Sequence, residues 1–287
     1  MPMPRAKTIV CVLAHQEERR IAACLGSLPL DDPAIAVHVV VNGSIDRTAA
    51  IASSVGGDRV TVHDWPQGGK ARSWNRFVFD TPGIDGRAFV FVDGDAEVVP
   101  GSVEALAASL AVDPGLNAVS GMPRNGRRAK DYQRGMLSEH GMFGDLYALS
   151  GDFVARMRRS GLRLPEDLVG DDGLLCALAK ADLQSEREWR EDRVHVCPNA
   201  GFLCEPASLF SPETMRLQYR RMINYSVRHF QNRILTSVMR GEGAGSLPGR
   251  LAELYPEWLD RLAPRAHPAL WWFDRKALAR MRAATGG

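Results

Sequence analysis

The sequence offers no disulfide framework. Its five cysteines, Cys11, Cys24, Cys176, Cys197 and Cys204, are odd in number, scattered, and form no C-x-x-C pair. That argues against a stapled secreted scaffold or a zinc knuckle and for a reducing compartment. No run of about 18 apolar residues occurs, so no membrane span is expected. The short, Pro-rich start from Met1 to Lys7 has no apolar segment and does not read as a signal peptide. These absences together imply a cytoplasmic protein, either free or peripheral at the inner membrane face. Charge of one sign is also lacking: 36 Lys and Arg face 34 Asp and Glu, a formal +2. Such a balance makes no electrostatic case for nucleic acid. The seven histidines show no H-E-x-x-H spacing, and neither a G-x-S-x-G elbow nor a Walker G-x-x-x-x-G-K-[ST] loop is present.

What remains is an ordinary globular balance, 45% hydrophobic and 24% charged over 287 residues. That suits one large α/β domain with a modest C-terminal addition. β-Branched apolar runs at Thr8 to Leu13, Ala36 to Val41, Arg59 to His63 and Ala88 to Val92 read as strands. Helical spacing separates them, as in Glu17 to Leu28 and from Ser102, a candidate cap, to Leu110. Further strands are expected at Asn117 to Ser120 and Arg193 to Cys197. Helices are expected at Asp171 to Ala181, Pro212 to Met239 and His267 to Ala284. The alternation predicts a mostly parallel, Rossmann-like sheet with helices on both faces. The expected division is one α/β domain over residues 1–240, then a flexible loop (Gly241 to Gly249) and helical extension over 241–287. In such sheets ligands sit beyond the carboxyl ends of the strands.

Several motifs begin where a strand is expected to end. In Asp93-Gly94-Asp95, two carboxylates leave a buried strand through a glycine. They suit a hard divalent cation that also takes diphosphate oxygens, although Asp and Gly are equally common in solvated turns. Asp171-Asp172 follows Gly170 and precedes an apolar helix. Helix capping accounts for it, and so does a general base. Gly68-Gly69-Lys70 reads either as a turn entering a helix or as a phosphate contact. Arg124 to Arg134 reads as a solvated basic loop that could also meet diphosphate. Trp271-Trp272-Phe273 suits a core or homodimer contact, with peripheral membrane contact as the alternative.

In order along the chain, these segments resemble the family-two glycosyltransferases of the GT-A fold. The likeness runs from about Thr8 to about Arg228. Leu13-Ala14-His15-Gln16-Glu17-Glu18 is similar to the family's P-A-Y-N-E-E. Val40-Val41-Asn42-Gly43-Ser44-Ile45-Asp46-Arg47-Thr48 is similar to V-D-D-G-S-T-D-x-T. Gly68-Gly69-Lys70-Ala71 with Asn75 matches G-G-K-x-x-A-x-N, and Phe91 to Asp95 matches the D-x-D motif. Gly144 to Leu149 resembles the stretch lining donor sugar and acceptor. Gly170-Asp171-Asp172 matches G-E-D, and Gln218-Tyr219-Arg220-Arg221-Met222 is similar to Q-x-x-R-W.

The resemblance implies inverting transfer of a sugar from a nucleotide-diphosphate sugar, with a UDP-sugar favoured, to an acceptor hydroxyl. Lipid carrier, glycan, peptide and small metabolite all remain open as acceptors. It places Glu17, Asn42 and Asp46 near the nucleoside with Lys70 close by. Asp95 becomes the main ligand of Mn²⁺ or Mg²⁺, and Asp93 a ligand or ribose contact. Asp172 becomes the base with Asp171 beside it, and Gln218 and Arg221 face the diphosphate or a closing loop. The Gly241 to Gly249 loop is the candidate lid. Three positions depart from the family. Asn42 replaces an Asp that reads uracil. Cys204, within Asn199 to Glu205, replaces a His near the metal. Met222 replaces the Trp of processive members and favours single-sugar transfer. A nucleotidyltransferase or a non-catalytic sugar- or partner-binding module on the same fold is the alternative. The acidic Glu17-Glu18 after the first strand disfavours the nucleotidyltransferase.

Overall fold

A computed structural model describes residues 8–204 and 212–286. Met1 to Lys7 and Glu205, both read above from sequence, lie outside the described residues. The first strand, β1 (Thr8–Ala14), is buried along its whole length. Period-two alternation sends Ile9, Cys11 and Leu13 into one core and Val10, Val12 and Ala14 into the other. Both sheet faces are covered, which is why the run is apolar without interruption.

The same logic shapes β2 (Ile35–Asn42), which follows the short helix α1 (Ile21–Gly26). Helix α2 (Thr48–Gly56) then leads to β3 (Val60–Trp65). Helix α3 (Lys70–Asn75) continues into a π-helical turn, Arg76–Asp80, before β4 (Ala88–Asp93). Strands β1 to β4 pair in parallel in the order β3-β2-β1-β4. Helices α1 and α2 pack on one face, and α3 on the other.

The remaining elements are the three-residue β5 (Ala96–Val98), α4 (Ser102–Val112), β6 (Ala118–Pro123) and α5 (Ala129–Glu139). Then follow β7 (Leu146–Ser150), α6 (Gly151–Ser160), α7 (Asp171–Lys180) and β8 (Val194–Cys204). The sheet has eight strands in the order β3-β2-β1-β4-β7-β6-β8-β5. β7 runs antiparallel to both β4 and β6, and β5 antiparallel to β8. The expected parallel sheet is therefore parallel in its first half and mixed in its second.

The C-terminal part is helical, as expected. The 30-residue α8 (Pro212–Gly241) is a single helix, and α9 (Tyr255–Trp258) and α10 (Pro268–Ala283) follow. Val227, Phe230 and Ile234 of α8 join Ala277, Leu278 and Met281 of α10 in the same core as α3 and α7. This segment is thus welded to the domain by apolar burial.

Three local expectations change. Ser102 does not cap α4. The cap position is Gly101 in the left-handed region, and the buried Ser102 hydroxyl donates to the Gly201 carbonyl at 3.2 Å and accepts from Gly201 N at 2.9 Å. The basic stretch read as a loop is helical from Ala129, and Arg124 is spent on the Pro198 and Ala200 carbonyls. The segment read as a flexible lid is tied down at both ends. Ala244 is buried, its N–H donates to the Gln184 carbonyl at 2.9 Å, and the Gly249 carbonyl accepts from Glu166 N at 2.9 Å.

Candidate active site

Parallel register makes β1, β2 and β4 end together: Ala14 lies opposite Val41, and Leu13 opposite Asp93. The chain leaving β4 then crosses β1 at close range. A Cβ on Gly94 would stand 2.8 Å from that of Ala14, so only glycine lets Asp93 and Asp95 flank this crossing. The turns after β2 and β3 also meet. Gly43 has φ +61°, and a Cβ there would lie 2.7 Å from the Gly68 backbone. Between these strand ends opens a cleft of about 700 Å³. His15, Glu17, Asn42, Lys70, Asp93, Asp95 and Asp171 all line it.

Lys70 is the hub. As the first residue of α3 it places Nζ 2.6 Å from Asp93 Oδ1 and 3.4 Å from Asp171 Oδ1, joining the end of β4 to the start of α7. Burial alone would lower the ammonium's pKa, but the Asp171 and Asp93 carboxylates outweigh it and hold it above the ordinary lysine range. Asp171 is 3% exposed, and its second oxygen is buried without a hydrogen-bond partner. Asp172 turns beside the cleft instead of lining it and pairs with Arg228 of α8 at 3.0 Å. It remains a neighbour of Lys70: a Cβ on Gly144 would be 3.5 Å from Asp172 and 3.4 Å from Lys70 Nζ.

Carboxylate oxygens of Asp93, Asp95 and Asp145 all lie within 4.8 Å of one another. Their crowding shows in their titration. Burial, with a smaller contribution from neighbouring carboxylates, raises Asp93 and Asp145 above the usual range. Glu17, desolvated and facing Asp95, is pushed up to about 7 against the pull of Arg20. An all-oxygen set of this kind fits Mg²⁺ or Mn²⁺, whose charge would offset the repulsion. Cys204 donates to Asp145 Oδ1 at 3.3 Å, and burial beside Asp145 holds its thiol protonated. A neutral thiol is a poor ligand for a hard ion, so Cys204 acts on the cluster through Asp145.

Other expected residues take different places. Asn42 is buried, and its amide is already committed. Nδ2 donates to the Ala14 carbonyl at 2.9 Å, and Oδ1 accepts from Gly69 N at 3.2 Å. It fastens β1 to the Gly68-Gly69 turn. His15 donates from Nδ1 to the Asn42 carbonyl at 2.7 Å. Asp46 does not line the cleft. It accepts from Thr48 Oγ1 at 2.6 Å and from Thr48 N and Glu18 N, both at 3.1 Å, and these bonds hold its pKa down despite some desolvation. These bonds tie Asp46 to the start of α2 and to the chain after β1. Gln218 is half-buried on α8 and not among the cleft-lining residues, whereas Arg221 stands 3.8 Å from Asp95.

The structure adds residues that the sequence reading passed over. Arg20 bridges Glu17 at 2.6 Å and Asp95 at 3.4 Å. Its i, i+3 spacing from Glu17 was the available signal. Asp145 was noticed only as part of a lining stretch. Arg228 and Arg280 carried no local signal. Arg280, on α10, donates to Asn224 Oδ1 at 2.8 Å, and both line the cleft. No part of the Gly241 to Gly249 segment lines the cleft.

Comparison with known proteins agrees with this architecture. Residues 9–164, more than half the chain, match the family model for glycosyl transferase family 2. Protein RfbJ of Shigella flexneri is 30% identical over 86 residues, 30% of this chain. The match spans 62% of that relative's length. Among solved structures, a mannosyltransferase from Pyrobaculum calidifontis in complex with GDP-Man and Mn²⁺ superposes with TM-score 0.60 and 21% identity, covering 99% of this chain and 77% of that one. TarS of S. aureus with UDP-GlcNAc gives TM-score 0.52 and 15% identity, covering 98% and 90%. Glucosyl-3-phosphoglycerate synthase of Mycobacterium tuberculosis with Mn²⁺, UDP and phosphoglyceric acid gives 0.52 and 20%, covering 77% and 78%. At these identities the structural likeness establishes the GT-A fold, and the sequence match establishes the kinship: the chain belongs to glycosyl transferase family 2.

Proposed function

We propose that this protein is an inverting glycosyltransferase that moves a sugar from a nucleotide-diphosphate sugar to an acceptor hydroxyl with the aid of a divalent cation. The observation that carries the reading is the Asp93, Asp95 and Asp145 cluster, joined through Lys70 to Asp171 within one cleft. Asp95, with Asp93 and Asp145, would hold Mn²⁺ or Mg²⁺, which when bound supplies positive charge to the departing diphosphate. The acceptor hydroxyl attacks the anomeric carbon from the side opposite the diphosphate. The bond to the diphosphate breaks as the new one forms, and the leaving group departs with the electron pair. Asp172 takes the hydroxyl proton, a role typically worth about 10²–10⁴-fold. Arg228 fixes the carboxylate's orientation, and Asp171 holds Lys70 against the donor side.

The related structures carry GDP-Man, UDP and UDP-GlcNAc. A UDP-sugar remains the favoured donor on the resemblance. Asn42 has both polar atoms committed to backbone, so base selection falls to other parts of the cleft wall.

A thermal-shift panel of nucleoside diphosphates with and without Mn²⁺ tests the donor site. Stabilisation by one nucleotide only when Mn²⁺ is present is the expected pattern. Asp172→Asn keeps an acceptor for Arg228, so it should fold and bind donor yet lose transfer. Wild-type turnover by Asp172→Asn alongside loss in Asp171→Asn would move the base to Asp171. Absence of donor hydrolysis by the wild-type protein with Mn²⁺ would favour a binding module instead.

A further inference from the structure

We propose that the joint surface of α8 and α10 docks on an anionic lipid bilayer. On α10 the residues Asp274, Ala277, Leu278 and Met281 are buried, whereas Trp271 and Trp272 near its start are 44% and 51% exposed. Two large indoles left in water on one face are unusual unless something covers them. Each carries a cation over its ring: Arg275 stands 4.7 Å from Trp271, and Lys276 4.9 Å from Trp272. Indole with an adjacent ammonium or guanidinium suits the level of lipid headgroups, apolar on one side and wet on the other.

The first part of α8 extends this face. Tyr219 meets Phe273 of α10 with ring centroids 5.7 Å apart, and Met215 and Tyr225 are exposed. From Met215 to Tyr225 the sequence holds Arg216, Arg220 and Arg221 and no acidic residue. Along α10 the sole acid, Asp274, is buried and paired with Arg265 at 2.6 Å. Arg216, Arg220, Arg275 and Lys276 therefore make this part of the surface locally positive, while Arg221 lies near Asp95.

That charge chooses among occupants. A second copy meeting this face through the same patch would oppose cation to cation. Anionic headgroups complement the arginines and lysine while the indoles and Met215 enter the boundary. The face also adjoins the cleft, since Arg280 of α10 lines it and Arg221 of α8 reaches Asp95. The docking itself does not depend on the proposed transferase activity. Only its consequence, an acceptor met at the lipid surface, rests on that reading.

Sedimentation of the full chain with vesicles tests it directly. Vesicles of phosphatidylglycerol and phosphatidylcholine in equal parts should bind the protein at low salt, and phosphatidylcholine alone should not. Added salt should weaken the binding. The double variants Trp271→Ala/Trp272→Ala and Arg275→Glu/Lys276→Glu should each lose on the order of tenfold or more. Their unfolding midpoints should stay at the wild-type value because the side chains are exposed. Reversal of Arg47 and Arg59, exposed cations on other elements, controls for overall charge, and an equal loss there would overturn the assignment. So would absence of binding to the anionic vesicles, or aromatic variants that bind as wild type. Self-association through the same residues, or equal binding of a DNA duplex, assigns the face to another partner and likewise refutes it. Binding is the sole readout, so its failure leaves the transferase reading standing.

Discussion

Replacing Lys70 with methionine removes a cation that touches both Asp93 and Asp171 while keeping most of the side-chain volume. The size of the effect follows from where the pair sits. Breaking a fully buried ion pair costs about 3–5 kcal/mol because a charge is stranded, whereas exposed pairs are worth about 0–1 kcal/mol. Lys70 and Asp93 are 31% and 27% exposed, and Asp171 is 3% exposed. An intermediate loss of about 2 kcal/mol follows, on the order of a 5 °C drop in melting temperature for a chain of this size. The pH dependence has a definite sign. Burial already raises the folded-state pKa of Asp93, and loss of Lys70 raises it further. The variant's folded state thus binds protons more readily than its unfolded state, and the deficit should shrink from about pH 8 to about pH 5. Mn²⁺ should restore part of it at the upper pH by replacing the missing charge. Urea unfolding followed by circular dichroism at both pH values, with and without Mn²⁺, measures each quantity. A deficit equal at both pH values, or absent at both, would refute the claim that Lys70 acts by compensating these carboxylates.

Three further outcomes follow from the same geometry. Asn42→Asp, although it restores the family's usual residue, removes the donor to the Ala14 carbonyl and buries a charge beside it; a loss of about 2–3 kcal/mol in chemical denaturation is expected, and a neutral effect would mean that the amide bridge is dispensable. Gly151→Ala would bring a Cβ to 2.3 Å from the Gly86 carbonyl and 3.0 Å from that of Arg87; backbone cannot yield as a flexible side chain can, so about 2–3 kcal/mol of stability or soluble expression itself should be lost. His38 and His63 stack with ring centroids 5.4 Å apart and their facing nitrogens 3.2 Å apart, and burial followed by His63 lowers His38 to about 4. The unfolded chain therefore takes up the proton first, so stability should fall as pH drops from about 6.5 toward 4, by at most about 3 kcal/mol, and His38→Gln should flatten that slope.

What could be read from the sequence divides along a physical line. β1, β2 and β4 were legible because a strand buried on both faces is written as an unbroken apolar run, and each was placed to within one or two residues. β7 was not, because its five residues are too short a run to mark a strand, although Gly144-Asp145 before them is a turn signal. β8 was seen only to Cys197. It continues through Pro198 and Asn199 to Cys204, with a register shift in its pairing against β6 between Ser120 and Met122, and a proline inside a run argues against a strand. Asp93, Asp95 and Asp171 were found because strand and helix ends announce themselves locally. Arg228, which pairs with Asp172, and Arg280, which lines the cleft, were not legible because an arginine's role depends on its neighbour in space. Asn42 shows the reverse: its position was foreseen, but its work was set by a backbone carbonyl that no motif records.

The ion pairs in the cleft differ in strength in a way that suits exchange of partners. Lys70 meets Asp93 at 2.6 Å and is held on its other side by Asp171, so it is fixed. Arg20 and Arg221 approach Asp95 at 3.4 and 3.8 Å, distances at which a charged hydrogen bond is weak or unmade. Asp95 thus meets its cations more loosely than Asp93 meets Lys70, and Arg221 is the looser of the two guanidiniums near it. On the proposed reading these are the groups that must change hands, the carboxylate to a divalent ion and the guanidinium to a diphosphate, for which its planar fork is suited. A rigid pair at Lys70 and a loose one at Asp95 would let the cleft accept both charges of its ligands while α3, β4 and α7 stay in place.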